Sequence, residues 1–185
     1  MNASVLHLAA LAAVVFLALL FLRAAWHKAA DYGRFVGFVA DYRLVPDALL
    51  GVASRLLVAA EFAVVALLVW PPLAVWGAVG ALVLLGLYAL GIAVNLLRGR
   101  TRIECGCGGA AQPLSWLLVV RNGVLMALAG LALSIPYTLA GVLETAVALL
   151  AGALAFSLYV IAEQVMANPG PLLLARKANS LSQPN

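Results

Sequence analysis

The sequence predicts an all-α fold, a polytopic bundle of about five helices embedded in a membrane. Of the 185 residues, 66% are hydrophobic and 10% are charged, and the mean hydropathy is +1.11. A soluble domain carries roughly a quarter charged residues. The apolar residues form continuous runs, whereas barrel strands alternate apolar and polar positions. These observations exclude a soluble globular domain, a disordered chain, a coiled coil and a disulfide-dense secreted domain.

Five segments are apolar over the roughly 20 residues that a spanning helix needs. Pro71 and Pro72 separate the second segment from the third, and a turn at Pro136 separates the fourth from the fifth. The first segment lacks a basic start and is longer than the apolar core of a signal peptide, so we expect it to be retained. Four crossings are the alternative. The predicted spans are 4–22, 49–70, 73–97, 115–133 and 139–162.

Three parts of the chain lie outside the predicted bilayer, namely loop 23–48, loop 98–114 and the tail. We predict one membrane-embedded domain over 1–168 and a mobile polar tail over 169–185. The apolar positions around Phe35 and Phe38 predict a short helix on the membrane surface. Tryptophans near the segment ends are typical of an interfacial belt. They are Trp26, Trp70, Trp76 and Trp116.

The basic residues are distributed unevenly across the membrane. Five crossings place both loops and the tail on one side, with nine Lys and Arg, and leave none on the other side. The positive-inside rule then predicts cytoplasmic loops and an external N-terminus. The net charge is +4, but the basic residues are too sparse for nucleic-acid binding. The nine are Arg23, Lys28, Arg34, Arg43, Arg98, Arg100, Arg102, Arg176 and Lys177.

The only cysteines, Cys105 and Cys107, form a Cys-Gly-Cys sequence in loop 98–114. Gly106 allows the tight bend that a disulfide between them requires. Such a small ring is strained and readily reduced, and it closes almost no loop, so it contributes little stability. The spacing therefore favours a redox role, and the pair is the candidate catalytic site. The neighbouring arginines favour the thiolate and Glu104 opposes them.

Two other interpretations of the cysteines stay open. They are an inert pair in a glycine-rich turn, or ligands for Cu(I) or Zn(II) with His27 as a third donor. The sequence contains too few donors for us to assign a metal site.

Ionisable residues also occur inside the apolar runs. Inserting one such residue near the centre of a spanning helix costs about 2.5–3.5 kcal/mol. Arg55 and Arg121 lie about 9 Å beneath the cysteine loop, and Glu61 lies about 18 Å along the second segment. Glu61 and Arg55 are on different helix faces, so Glu61 needs a partner from another helix, which Arg121, Arg23 or Lys28 would supply. The functional hypothesis is a positive pocket for a thiolate, a quinone or an anionic substrate, and the structural one is an ion pair that fixes packing.

The chain resembles the DoxX-type membrane family over roughly residues 5–135. The Cys-Gly-Cys loop before another helix is similar to MauE, the methylamine-utilisation branch of that family, and is the most specific feature. The matching residues are Arg23-x-x-x-x-Lys28, Phe35-x-x-Phe38-x-x-x-Tyr42-x-x-x-Pro46, Glu61, and Ile103-x-Cys105-Gly106-Cys107-Gly108-Gly109.

This resemblance implies a helical bundle in a bacterial cytoplasmic membrane, which acts in maturation of the methylamine dehydrogenase small (β) subunit, a disulfide-rich periplasmic protein. It also implies a thioredoxin-like partner, MauD. Cys105 and Cys107 would then be the redox pair of an accessory protein, at most similar to a thiol–disulfide oxidoreductase. Lys28, Glu61 and Arg121 would be pocket or packing residues.

The location of the client conflicts with the charge distribution, which places the cysteines in the cytoplasm. Either electrons cross the bundle, or the topology is inverted, or the fold holds the loop within the membrane. Two other functional classes remain. One is a transporter in which Arg55, Glu61 and Arg121 line the path, and the other is a copper- or zinc-handling protein. An assembly scaffold is a further alternative.

Overall fold

The computed structural model describes residues 3–101, 103–106, 112–133 and 141–167. Short 3-10 turns, Asp47–Leu49 and Pro71–Leu73, lead into the third and fourth helices. Within the described ranges there is no strand, and only an isolated antiparallel bridge joins Glu104 to Pro113. The α-helices in these ranges are α1 (Ala3–Ala30), α2 (Tyr32–Tyr42), α3 (Leu50–Val69), α4 (Ala74–Leu97), α5 (Trp116–Leu133) and α6 (Val142–Ala167).

Five of these helices, all except α2, are long and apolar enough to cross a membrane, which confirms the predicted fold class. Their polarity is the reverse of that in a soluble bundle. Polar side chains such as Ser54, Asn95 and Asn122 are buried, while leucines such as Leu90 and Leu150 face outward. Lipid solvates such a surface, and inside the bundle the Asn95 side chain bonds to the Gly91 carbonyl and to Arg100. The chain is therefore a multi-pass membrane protein.

The bundle is organised around α1, which packs against α3, α5 and α6, while α3 packs on α4 and α4 on α5. Side chains including Phe16, Leu17 and Leu85 form the core between these helices. Helix α6 lies on the outside and packs chiefly on α1. At Gly152 a Cβ would lie 2.7 Å from the Ala12 carbonyl oxygen, so glycine is what permits the two helices to approach this closely.

The largest difference from the predicted boundaries is at the end of the first span. Helix α1 does not stop at residue 22 but continues to Ala30, because the charged side chains of Arg23 and Lys28 find partners inside the bundle. The next helix, α2, is capped at its N-terminus by Asp31, whose carboxylate accepts a hydrogen bond from the Arg34 backbone N–H at 3.2 Å. Its C-cap is Arg43, which has a positive φ of 47°. The predicted turn at Pro136 and the predicted tail lie outside the described residues.

Candidate functional site

The cysteine loop folds back on itself just before α5. The Cys105 N–H donates to the Gln112 carbonyl at 3.1 Å, and the Leu114 N–H donates to the Ile103 carbonyl at 3.1 Å. Cys105 is half-buried against a small apolar cluster that includes Leu114. It is disulfide-bonded. The other cysteine of the chain, Cys107, lies outside the described residues.

Helix α2 holds the cysteine loop through Tyr42, whose hydroxyl donates to the Cys105 carbonyl at 2.9 Å. Burial raises the pKa of Tyr42 to about 12, with the charge of Arg121 acting in the opposite direction. The phenol therefore keeps its proton and remains a donor at neutral pH. Arg100 in turn donates to the Tyr42 carbonyl at 3.5 Å and to Asn95 Oδ1 at 3.2 Å. Helix α2, the end of α4 and the loop thus form one hydrogen-bonded unit.

The three arginines that were expected to favour a thiolate have different surroundings. Arg100 is bonded to Tyr42 and Asn95, Arg98 is exposed, and Arg102 is outside the described residues. Glu104 forms an exposed ion pair with Arg34 at 3.3 Å. Arg100 therefore bonds to residues that support the loop, while Arg34 pairs with Glu104 of the loop itself.

Replacing Gly106 by alanine is expected to displace the cysteine loop. Gly106 has a φ of +64°, and an added Cβ would lie 2.9 Å from the Phe38 Cβ. Gly99→Ala is the matched control, because Gly99 has a φ of +72° with nothing within 4 Å. Both variants incur the cost of a positive φ, about 1 kcal/mol, but only Gly106→Ala adds a clash. We expect the thermal midpoint to fall further in Gly106→Ala than in Gly99→Ala. Maleimide labelling of the reduced cysteines should change only in Gly106→Ala. Equal effects of the two variants would contradict this packing.

An apolar cavity of about 250 Å³ lies directly beside Cys105 and Gly106. Its walls come from α2, α3, α4 and the segment after α2, and four of the lining side chains are aromatic. They are Phe35, Phe38, Tyr42 and Tyr88. The cavity therefore lies between the cysteine loop and helices α2, α3 and α4.

Tyr88, which lines this cavity, belongs to a buried polar cluster with Lys28 and Glu61. The Lys28 ammonium pairs with Glu61 Oε1, and the Tyr88 hydroxyl donates to the same oxygen at 2.7 Å. Lys28 also lies 4.8 Å from the Tyr88 ring centroid and 5.4 Å from that of Phe35. Glu61 is fully buried, and its Oε2 accepts no hydrogen bond from any described residue. The cluster joins α1, α3 and α4.

A second charged cluster is centred on Glu163, which is buried near the end of α6. Arg23 contacts its Oε2 at 2.7 Å, Arg121 contacts its Oε1 at 2.8 Å, and Tyr159 donates to Oε1 at 2.7 Å. Gln112 of the cysteine loop donates to the Glu163 carbonyl at 3.2 Å. This cluster joins α1, α5 and α6 to the loop.

These two clusters replace the single pocket expected from the sequence. Glu61 is paired with Lys28, and Arg121 is paired with Glu163 on other helices. Arg55 belongs to neither cluster, because its position on α3 faces outward. His27 is exposed. Among the residues that the structure describes, no group of three or more His, Cys, Asp or Glu is arranged to hold a metal ion.

Comparison with known proteins gives the family. The model of the family described as "Methylamine utilisation protein MauE" matches residues 6–135. The chain belongs to the MauE family. It is 44% identical to the methylamine utilization protein MauE of Paracoccus denitrificans over 91% of each chain. Identity to the Paracoccus versutus protein is 43%, over 81% of this chain and 83% of that protein. No solved structure matches the chain.

The matched MauE segment contains both buried ion-pair partners Lys28 and Glu61 and the cysteine loop, but not Glu163. Sequence reasoning missed Tyr88, Tyr159 and Gln112, because it considered only charged groups within the apolar runs. The two tyrosines are polar groups within α4 and α6, and that interruption of the apolar runs was an available signal. Nothing local to Gln112 indicated a contact with a helix about 50 residues away.

Replacing Glu163 by glutamine is expected to destabilise this MauE-family bundle by about 3 kcal/mol, because two largely buried arginines lose their carboxylate. Glu144→Gln is the matched control at the other end of α6, where the side chain is exposed. We expect the control to stay within about 0.5 kcal/mol of the parent. Thermal unfolding of both variants in detergent measures the difference. A Glu163→Gln protein as stable as Glu144→Gln would show that this cluster does not hold α6.

Proposed function

We propose that this protein is a redox accessory of the membrane that supports maturation of a periplasmic client through thiol–disulfide exchange at Cys105 and Cys107. The observation that carries the proposal is the disulfide-bonded Cys105 in a loop held by Tyr42, beside a cavity within a membrane protein. Relatives named as methylamine utilization proteins supply the context. The proposed client is the methylamine dehydrogenase small subunit, reached through a thioredoxin-like partner of the MauD type.

The exchange proceeds in two balanced steps. A thiolate of the client or of the thioredoxin-like partner attacks one sulfur of the Cys105–Cys107 disulfide, which forms a mixed disulfide and releases the other cysteine as a thiolate. The second thiolate of the client or partner then attacks the mixed disulfide. That protein leaves with its own disulfide, and both cysteines of the loop are reduced.

A structural role for the disulfide is less well supported by the geometry. A bond between residues two apart closes almost no loop and removes little entropy from the unfolded chain. The described loop is already held by the Tyr42 and Gln112 hydrogen bonds, and the helices are held by the two buried charge clusters. A redox role therefore explains the disulfide better than a structural role does.

We place the protein in the bacterial cytoplasmic membrane. Direct exchange with the client depends on which side of that membrane the cysteine loop faces. Two of the nine basic residues counted from the sequence, Arg23 and Lys28, lie within α1 and not in a loop. Of the others, the described residues are Arg34, Arg43, Arg98 and Arg100. They belong to the two segments that five crossings put on one side, which favours a cytoplasmic loop. Direct exchange with a periplasmic client requires the opposite side. We also propose that this chain is related to the wider DoxX-type family.

Trapping of a mixed disulfide tests the proposed exchange. Cys105→Ser and Cys107→Ser each leave one thiol. Its thiolate can attack the disulfide of the oxidised client or partner and form a mixed disulfide, but the variant has no second cysteine to resolve it. We expect one of the two variants to accumulate a disulfide-linked conjugate with a thioredoxin-like protein or with the client. Reductant should cleave this conjugate. The double variant is the matched control and should form none. If neither single variant forms a conjugate in cells that produce the client, direct exchange is wrong.

A further inference from the structure

We propose that the cavity beside Cys105 binds the ring of a membrane quinone, which re-oxidises the cysteine pair. This inference rests on the proposed function, since it names the electron acceptor of the same site. The cavity is lined by Cys105 and Gly106 of the loop and by Tyr88 of α4. It lies in a protein whose outer surface is lipid-facing, and quinones are oxidants that dissolve in lipid.

The walls of the cavity fit a flat apolar ring. Apart from the loop, its lining consists of aromatic and aliphatic residues without a charged side chain. Aromatic faces favour offset stacking or edge contacts with another ring. The volume of about 250 Å³ is just below the range of about 300–1,000 Å³ for small-molecule sites. A single ring therefore fits, while a long isoprenoid tail has to extend outside.

The outer surface of α4 provides a place for that tail. Leu87 lines the cavity and is also 52% exposed on the lipid-facing side of the bundle. Its neighbour one turn away, Leu90, is 61% exposed and does not line the cavity. Leu87 thus borders both the cavity and the outer surface, and we place the exit of the tail into the lipid there.

The electrons balance without another co-reactant. The reduced Cys105 and Cys107 thiols lose two electrons and two protons and form the S–S bond. The quinone gains those two electrons and two protons and leaves as quinol. Each turn of client oxidation followed by quinone reduction restores the disulfide.

Tyr88 links the cavity to the buried Lys28–Glu61 pair. Its ring is part of the cavity wall while its hydroxyl is bonded to Glu61, so the ion pair fixes the orientation of that wall. Lys28 and Glu61 are positioning residues in this proposal. They lie behind the ring and need not contact the ligand.

Photolabelling tests binding separately from redox activity. The full chain with Cys105→Ser and Cys107→Ser, purified in quinone-free detergent, is irradiated with a short-chain azido-quinone and digested. We expect label on peptides of α2 and α4 that line the cavity, and competition by unlabelled decylubiquinone. Label spread over the lipid-facing surface without competition would overturn the proposal. This result does not depend on the cysteines, so it distinguishes failure of the quinone site from failure of thiol exchange.

A matched pair of variants tests the site in the native-cysteine protein. Leu87→Trp narrows the cavity, and Leu90→Trp adds the same bulk to the outer surface of the same helix. With the cysteines reduced and oxygen absent, one decylubiquinone should be reduced for each pair of thiols lost. We expect Leu87→Trp to slow this reaction by about tenfold, equivalent to about 1.4 kcal/mol, and Leu90→Trp to leave it unchanged. Equal rates in the two variants, or no quinone reduction by the parent, would overturn the proposal.

Discussion

Replacing Lys28 by methionine is expected to lower the free energy of unfolding by about 3–5 kcal/mol, because it leaves the buried Glu61 carboxylate without its cation. The double variant Lys28→Met/Glu61→Leu removes both charges and should regain most of that stability. Thermal and denaturant unfolding in detergent measures both effects. A double variant no more stable than Lys28→Met would contradict the assignment of these residues as one pair.

The exposed pair Arg34–Glu104 is the matched control for this experiment. Its side chains are 59% and 42% exposed, so solvent screens the interaction. We expect Arg34→Met to change stability by less than about 1 kcal/mol. The contrast between the two pairs separates the effect of burial from that of removing a positive charge.

Replacing Cys105 or Cys107 by serine is expected to reduce client maturation to the level of a strain without the protein. The physical reason is that either change removes the disulfide, and the remaining thiol can neither re-form it nor resolve a mixed disulfide. The measurement is the amount of correctly disulfide-bonded methylamine dehydrogenase small subunit in the periplasm. Expression of each variant in the deletion strain gives the comparison.

Stability measurements on the same variants provide the control. Because the ring closes almost no loop, each serine variant should insert and unfold like the parent. Full client maturation by both variants would exclude the cysteine chemistry. Loss of maturation together with loss of the folded protein would assign the cysteines a structural role instead.

The helices were predictable because spanning segments must be long and apolar, and the five predicted segments coincide with α1 and α3–α6. The ends were less predictable where charge is compensated internally. In the sequence, the first apolar run ends at the charged residues Arg23 and Lys28. The helix nevertheless continues past both, because Arg23 pairs with Glu163 and Lys28 pairs with Glu61. Such a partner on another helix cannot be identified from one chain by hydropathy.

The sequence suggested a chemistry for the candidate site, which stays a prediction, but it did not indicate the surroundings of the site. The Cys-Gly-Cys spacing indicated redox chemistry, and Lys28 was one of three partners considered for Glu61. The grouping of Arg55 with Glu61 and Arg121 was wrong, because depth along a helix does not determine which way a side chain faces. The cavity depends on α2 packing near the ends of α3 and α4, a tertiary contact without a local signal.

The most direct test of the central claim is the redox state of Cys105 and Cys107 in cells. Cells are quenched in acid, and thiols are labelled before and after reduction with a permeant maleimide and with an impermeant one. The account predicts a disulfide that becomes reduced when client synthesis is induced and is re-oxidised afterwards. Labelling by the impermeant reagent in intact spheroplasts would place the loop on the periplasmic side, as direct exchange requires. A pair that stays in one redox state whatever the supply of client would contradict the account.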